Sequence, residues 1–152
     1  MSQFTCPVVT VQAVRPLGDN LSVVTVQGHE VVANRREDGE FRWQVGEPVV
    51  YVPENAVVPE DVLKARGYWD LEKNKGLLEG KRGNRVKMRR FAGFESRGLL
   101  FKVTRLAVSP SVPTGLAVDR TVLRDGGYLH TAQPVALGED VAGFLGITEH
   151  GT

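Results

Sequence analysis

A chain of 152 residues, 41% of them hydrophobic and with a net charge of only +1, is long enough for one ordinary core and too apolar for a disordered tail. Its single cysteine, Cys6, excludes an internal disulfide, and Cys6 with the scattered His29, His130 and His150 lacks the spacing of a zinc site. No apolar run approaches the ~20 residues of a membrane helix, and the opening MSQFTCPVV lacks a signal core, which together predict a cytoplasmic chain with no membrane partner.

Residues 7–17, PVVTVQAVRPL, are rich in β-branched side chains and alternate until Pro16, so they predict a first strand. Gly18, Asp19 and Asn20 have turn chemistry and lead into a second strand over 21–27. Gly28 and His29 then turn the chain into a third over 30–34, completing a meander. After the polar loop RREDGE, Gly46 and Glu47 introduce the apolar run PVVYV over 48–52, a buried fourth strand. Pro59 followed by Glu60 and Asp61 marks a helix start, since proline suits the first turn and acids face the positive helix end; the helix is expected to stop near Gly67. The stretch 68–84, YWDLEKNKGLLEGKRGN, has too many charges and glycines for a regular element and reads as an excursion.

The segment 81–101, KRGNRVKMRRFAGFESRGLLF, is the most distinctive. Arg85, Lys87 and Arg89 alternate with Val86 and Met88, so a strand here would present cations on one face and bury Val86, Met88, Leu99 and Phe101 on the other. Arg90 and Phe91 break the alternation and suggest a bulge or strand end, with Gly93 and Gly98 beyond it. Residues 103–108 are another expected strand, SPSVPTG is a loop, 116–129 contains a turn at 125–127, and LGEDVAGFLG over 137–146 predicts a terminal helix with acids in its first turn. The expected organisation is an OB-like barrel over 1–108 with a C-terminal extension or connector, 109–152, packed on it.

Charge is concentrated in the same segment. Residues 81–105 hold nine cations and one acid, Glu95, whereas the rest of the chain holds ten cations and seventeen acids. Such a face is either a site for a phosphate-rich partner or a solvated surface whose arginines pair with acids elsewhere. Short strands interrupted by one helix predict a mainly β fold, an OB-like small barrel with one short interrupting helix and a C-terminal helix.

The pieces VQAVRPL, VGEPVVYVPENAVVPEDVL and GNRVKMRRFAGFESRGLLF, in that order, resemble the N-terminal OB domain of RNA ligases of the Deinococcus type, and LGEDVAGFLGIT resembles the connector into the ligase catalytic domain. A shorter echo of GNRVKMRRFAGFESRG occurs in tRNA-binding OB domains of synthetase-associated proteins. The resemblance implies a fold that handles RNA. Those ligases form an adenylate on the lysine of a Lys-x-Asp-Gly motif, which this chain lacks. The resemblance therefore implies an accessory domain without its enzyme: no catalytic residue, no metal and no cofactor. Other chemistry is thin as well. Gly76 and Gly80 before Lys81 lack Walker spacing, Ser96 reads as a turn serine with a backbone hydrogen bond, and Asp19, Glu60 and Asp61 suit turn and helix-start roles.

The resulting expectation is a non-catalytic module that binds RNA or a nicked duplex by its backbone. Arg85, Lys87 and Arg89 are the expected phosphate contacts, with Lys81, Arg82 and Arg97 at the rim. Trp69 and Tyr68 suit a stacking platform or a lid over the core, and Phe91 and Phe94 share that ambiguity. The rival expectation is a protein-interaction module on the same scaffold, meeting a ligase catalytic domain or another protein through its acidic remainder or a sheet edge.

Overall fold

The computed structural model describes residues 4–18, 20–34, 40–65, 68–91 and 94–150, without the side chains of Asn34, Arg89, Phe91, Leu123 and Arg124. Its elements run β1 (Val8–Thr10), β2 (Ala13–Leu17), β3 (Leu21–Val26), β4 (His29–Asn34), β5 (Pro48–Val52), β6 (Ala56–Val57), α1 (Glu60–Ala65), β7 (Trp69–Asp70) and β8 (Lys75–Gly76). They continue with β9 (Arg89–Phe91), β10 (Phe94–Ser96), β11 (Leu99–Lys102), β12 (Thr104–Arg105), β13 (Leu116–Arg124), β14 (Gly127–Pro134), α2 (Ala142–Leu145) and β15 (Thr148–Glu149). The fold is mainly β, with one short helix interrupting the strands and another near the C-terminus, as the sequence led us to expect. Among the described residues the strand ladders form several short sheets and do not close into a ring.

The central sheet is β1-β5-β11, antiparallel throughout. Every residue of β5 is buried, because its two faces enter two different cores. Val50 and Val52 join Val8, Phe101, Leu63, Val118 and Leu145 on the side of α1, β13 and α2. Val49 and Tyr51 join Val9, Leu100, Val24, Val31 and Trp43 on the side of the β2-β3-β4 meander. An unbroken apolar run is what burial on both faces requires.

The first strand is not continuous. After β1 the Val11 amide donates to the Glu47 carbonyl and the Gln12 amide to the Thr25 carbonyl, so the chain leaves one sheet and enters the next. Pro16 lies within β2 rather than ending it, which an edge strand permits. The hairpin β13-β14 closes through Asp125 and Gly126, both at positive φ, inside the expected turn. Residues 103–108 contribute only the two-residue β12.

Two further expectations need correction. The terminal helix spans only 142–145 and has no acid in its first turn. The acids before it hold backbone instead: Asp140 Oδ1 accepts from the Cys6 amide at 2.9 Å and the Ala142 amide at 3.0 Å, and Glu139 accepts from the Ala136 amide at 3.1 Å. The basic strand from Arg85 is also absent. Arg85 makes isolated bridges to Val57 and Glu79, Val86 exchanges backbone bonds with Ala56 and Asn55, and a regular strand begins only at Arg89. Val86 and Phe101 are buried as expected, but Met88 is 37% exposed and Leu99 is only partly buried, because the chain leaves β6 after Val86 to pair with β10.

Between α1 and Val86 the excursion has its own geometry. β7 pairs with β8, and the backbone then doubles back so closely that a Cβ on Gly76 would stand 2.0 Å from the Gly83 carbonyl oxygen. No other residue type fits at that crossing. It fixes the turn that carries Lys81 and Arg82.

Candidate nucleic-acid interface

The crossing of Gly76 and Gly83 is stitched by backbone bonds from the Gly76 amide to the Arg82 carbonyl and from the Leu78 amide to the Gly83 carbonyl, both 2.9 Å. Lys81 and Arg82 are therefore displayed on a short, pinned turn, and both are exposed. Two residues beyond Gly83, Arg85 is held to the body: its Nη2 donates to Asn55 Oδ1 at 3.1 Å, while its Nε is buried with no acceptor among the described residues. Lys87 is exposed on the stretch that leads to β9. Among the described residues none of Lys81, Arg82, Arg85 and Lys87 pairs with a carboxylate.

Arg97 differs. Its guanidinium lies 2.6 Å from Glu95 and 3.2 Å from Glu54, and Arg90 reaches Glu95 at 3.4 Å. The hydrogen bond with Arg97 holds the Glu95 carboxyl below its ordinary range, and those to Glu95 and Glu54 raise the guanidinium's affinity for its proton. Its charge is answered within the chain. Arg89 stands on β9, with its side chain outside the described residues.

The two aromatics named as platform or lid are mostly committed to the core. Tyr68 packs with its ring centroid 6.2 Å from that of Phe101, and burial pushes its hydroxyl pKa up despite the nearby Arg42. Trp69 packs against the same core, its Nε1 is buried without an acceptor among the described residues, and the Lys64 ammonium sits 4.9 Å from its ring centroid. Phe94 is covered in the same way by the Arg15 guanidinium, 5.2 Å above its ring, and the Phe91 side chain lies outside the description. Ser96 lies on β10 rather than in a turn, and its buried hydroxyl accepts from the Val32 amide at 2.9 Å.

One feature went unseen in the sequence. A cleft of about 980 Å³ runs between β4, the 77–87 segment and β11. Among the described residues Arg42, Arg85, Lys87 and Lys102 line it with one acid, Glu47, and the lining reaches Trp43 and Leu100 on one side of β11 and Phe101 on the other. The adjacent Arg42 and Trp43 in FRWQ were the only sequence signal, and Glu47 and Lys102 join them only through the fold. No group of three or more His, Cys, Asp and Glu side chains able to hold a metal occurs among the described residues, and no helix there is long and apolar enough to cross a membrane.

No family model matches the chain, and no curated protein matches it in sequence. Solved structures do. A Naegleria gruberi RNA ligase mutant with ATP and manganese superposes with a TM-score of 0.60 at 20% identity, over 99% of this chain and 36% of the ligase. The same ligase with pyrophosphate gives 0.59 at 20% identity over the same shares, and another mutant with AMP and manganese gives 0.61 at 21% identity over 97% and 35%. The chain thus shares the fold of part of an RNA ligase and spans about a third of that protein's length.

Proposed function

We propose that this chain is a non-catalytic RNA-binding module, OB-like and related to the accessory part of an RNA ligase, which grips the backbone of RNA or of a nicked duplex. The observation that carries the reading is the unanswered charge of Lys81, Arg82, Arg85 and Lys87, four cations within seven residues without a carboxylate partner among the described residues. Arg90 and Arg97, in the same basic segment, have their charges answered by Glu95 and Glu54. Cations left unpaired beside a pinned turn suit a polyanion whose charge is spread along a line. Lys81, Arg82 and Lys87 are the phosphate contacts in this reading, Arg85 supplies one from the edge of the cleft, and Arg89 extends the line along β9. Residues 1–108 form the binding body and 109–152 the connector packed against it. The likeness in fold to an RNA ligase supports the choice of RNA as the polyanion.

The test is anisotropy of a labelled single-stranded RNA at low and moderate salt. Salt-sensitive binding that weakens when Lys81, Arg82 and Lys87 are replaced together by Ala supports the reading, and binding unaffected by that replacement defeats it. A protein-interaction role has one observation in its favour. β14 is an edge strand whose Tyr128 is 78% exposed and Leu129 49%, so an RNA-silent chain would be examined next for a protein that adds to that edge.

A further inference from the structure

We infer that β14 is a self-recognition edge: two copies of the chain pair β14 to β14, antiparallel about a two-fold axis at His130, and join their β12-β13-β14 sheets into one. The inference does not depend on the RNA-binding reading.

Other sheet edges in this fold are guarded. The outer edge of β1 is clasped by bonds from residues 138–141, β4 is bonded along its outer side by the Arg97 amide at the Glu30 carbonyl and by Ser96 Oγ at the Val32 amide, and β2 carries Arg15 and Pro16. β14 has no such guard among the described residues. It is the outer strand of its sheet and eight residues long, GYLHTAQP, with no lysine, arginine or carboxylate, no bulge in its pairing with β13, and proline only at its end. An edge of that kind is a template for another strand.

Register decides which backbone groups the edge offers. The Val135 amide donates to the Leu116 carbonyl, and bonded pairs alternate along an antiparallel ladder, so Leu129 and Thr131 direct their backbone groups to Val122 and Arg120. Tyr128, His130 and Ala132 turn theirs outward. A two-fold axis at His130 matches all of them: His130 meets His130 of the second copy, and Tyr128 meets Ala132. The side chains agree with that register. Tyr128, 78% exposed, falls opposite Ala132, and Leu129, 49% exposed, falls opposite Thr131, so large meets small on both faces. The two His130 rings are the only basic groups of the strands to meet, and each has Asp119 Oδ1 3.7 Å from its Nε2 to answer any charge. A foreign strand would have to bring this match with it, whereas a second copy supplies it by symmetry.

The experiment is sedimentation velocity of the whole chain from micromolar to millimolar concentration. One paired strand makes a small interface, so we expect reversible association, from 16.7 kDa at the dilute end to twice that mass at the other. His130→Lys sets two ammonium groups opposite each other and should weaken association by about tenfold or more, with thermal unfolding of the dilute chain unchanged. His130→Cys should form a disulfide between copies under mild oxidation, because residues that exchange bonds in an antiparallel pair stand about 5.5 Å apart at Cα. Tyr128→Cys should not, since the axis carries the two Tyr128 positions to opposite ends of the paired stretch, and the native Cys6 is buried. A chain that stays at 16.7 kDa throughout would overturn the inference and leave the edge to a different protein. So would a dimer that persists in a folded His130→Lys variant, or one bridged through Tyr128→Cys and not through His130→Cys. If His130→Lys does not fold, the two cysteine variants decide.

Discussion

Arg120 on β13 holds Asp61 at the start of α1 with two nitrogens, Nε at 3.0 Å and Nη2 at 3.3 Å, while its Nη1 donates to the Phe144 carbonyl in α2 at 2.8 Å. One guanidinium thus joins the two helices to the strand between them in sequence, and both side chains of the ion pair are about four-fifths buried. Replacing Arg120 by Ala should cost ~2 to 3 kcal/mol, since it leaves a partly buried carboxylate and a carbonyl without their donor. Thermal unfolding measures the loss. Arg120→Lys should recover little, because an ammonium cannot span both carboxylate oxygens and the Phe144 carbonyl in the fixed fork that Arg supplies.

The crossing of Gly76 and Gly83 admits no side chain, and Gly83 has a φ of +65° as well. Gly83→Ala should therefore destabilise the chain by more than ~1 kcal/mol. It should also weaken RNA binding, because the turn carrying Lys81 and Arg82 can no longer be pinned. The two effects separate if binding is measured well below the unfolding temperature. A variant with native stability would show that the backbones can part at no cost.

Each phosphate contact on a single strand contributes a slope of about −0.7 to the dependence of log K on log salt. Replacing Lys81, Arg82 and Lys87 together by Ala should flatten that slope by about two units and weaken all sequences alike, as backbone contacts carry no sequence information. Arg97→Ala should leave the slope unchanged, since Glu95 and Glu54 already answer its charge.

Burial pushes the Tyr51 hydroxyl from 10.0 up to about 12, with Glu54 adding to the rise, and burial with Asp140 pushes the Cys6 thiol from 9.0 up to about 12. Both groups are neutral when protonated, so the folded chain keeps protons that the unfolded chain loses. Their stabilisation is complete below about pH 9 and is lost as the pH rises toward 12. Alkaline unfolding followed by tyrosinate absorbance should show that decline, and Tyr51→Phe should make it shallower. Glu95 has the opposite sign. Its lowered pKa stabilises above the ordinary carboxylate range, and that contribution disappears as the pH falls through the folded value.

The chain has no Lys-x-Asp-Gly, so incubation with labelled ATP and a divalent metal should leave it unlabelled. A covalent protein adenylate on any lysine would refute the non-catalytic reading.

Several elements were legible because a local pattern decided them. PVVYV could only be a buried strand, Pro59 with Glu60 and Asp61 could only open a helix, and Asp125 with Gly126 had to turn. What stayed hidden depended on distant residues. The sheet change at Val11 leaves the alternation intact and is fixed by Glu47 and Thr25. The terminal helix is shorter than its pattern because Asp140 is committed to the Cys6 amide. In the candidate site, the charge of Lys81, Arg82 and Lys87 was plain from spacing, but the second acid on Arg97, Glu54, lies forty-three residues away. The alternation from Arg85 to Arg89 predicted a strand that the pairing of Val86 with Ala56 and Asn55 replaces.

Asp140 joins to Cys6 across 134 residues, and around that bond the Val8 amide donates to the Glu139 carbonyl, the Gly138 amide to the Val8 carbonyl and the Val141 amide to the Cys6 carbonyl. During synthesis, β1 therefore emerges from the ribosome long before the residues that clasp it exist, and its outer backbone groups must wait for nearly the whole chain to be made. The clasp also sets residues 138–141 beside the first strand, on the edge away from β5.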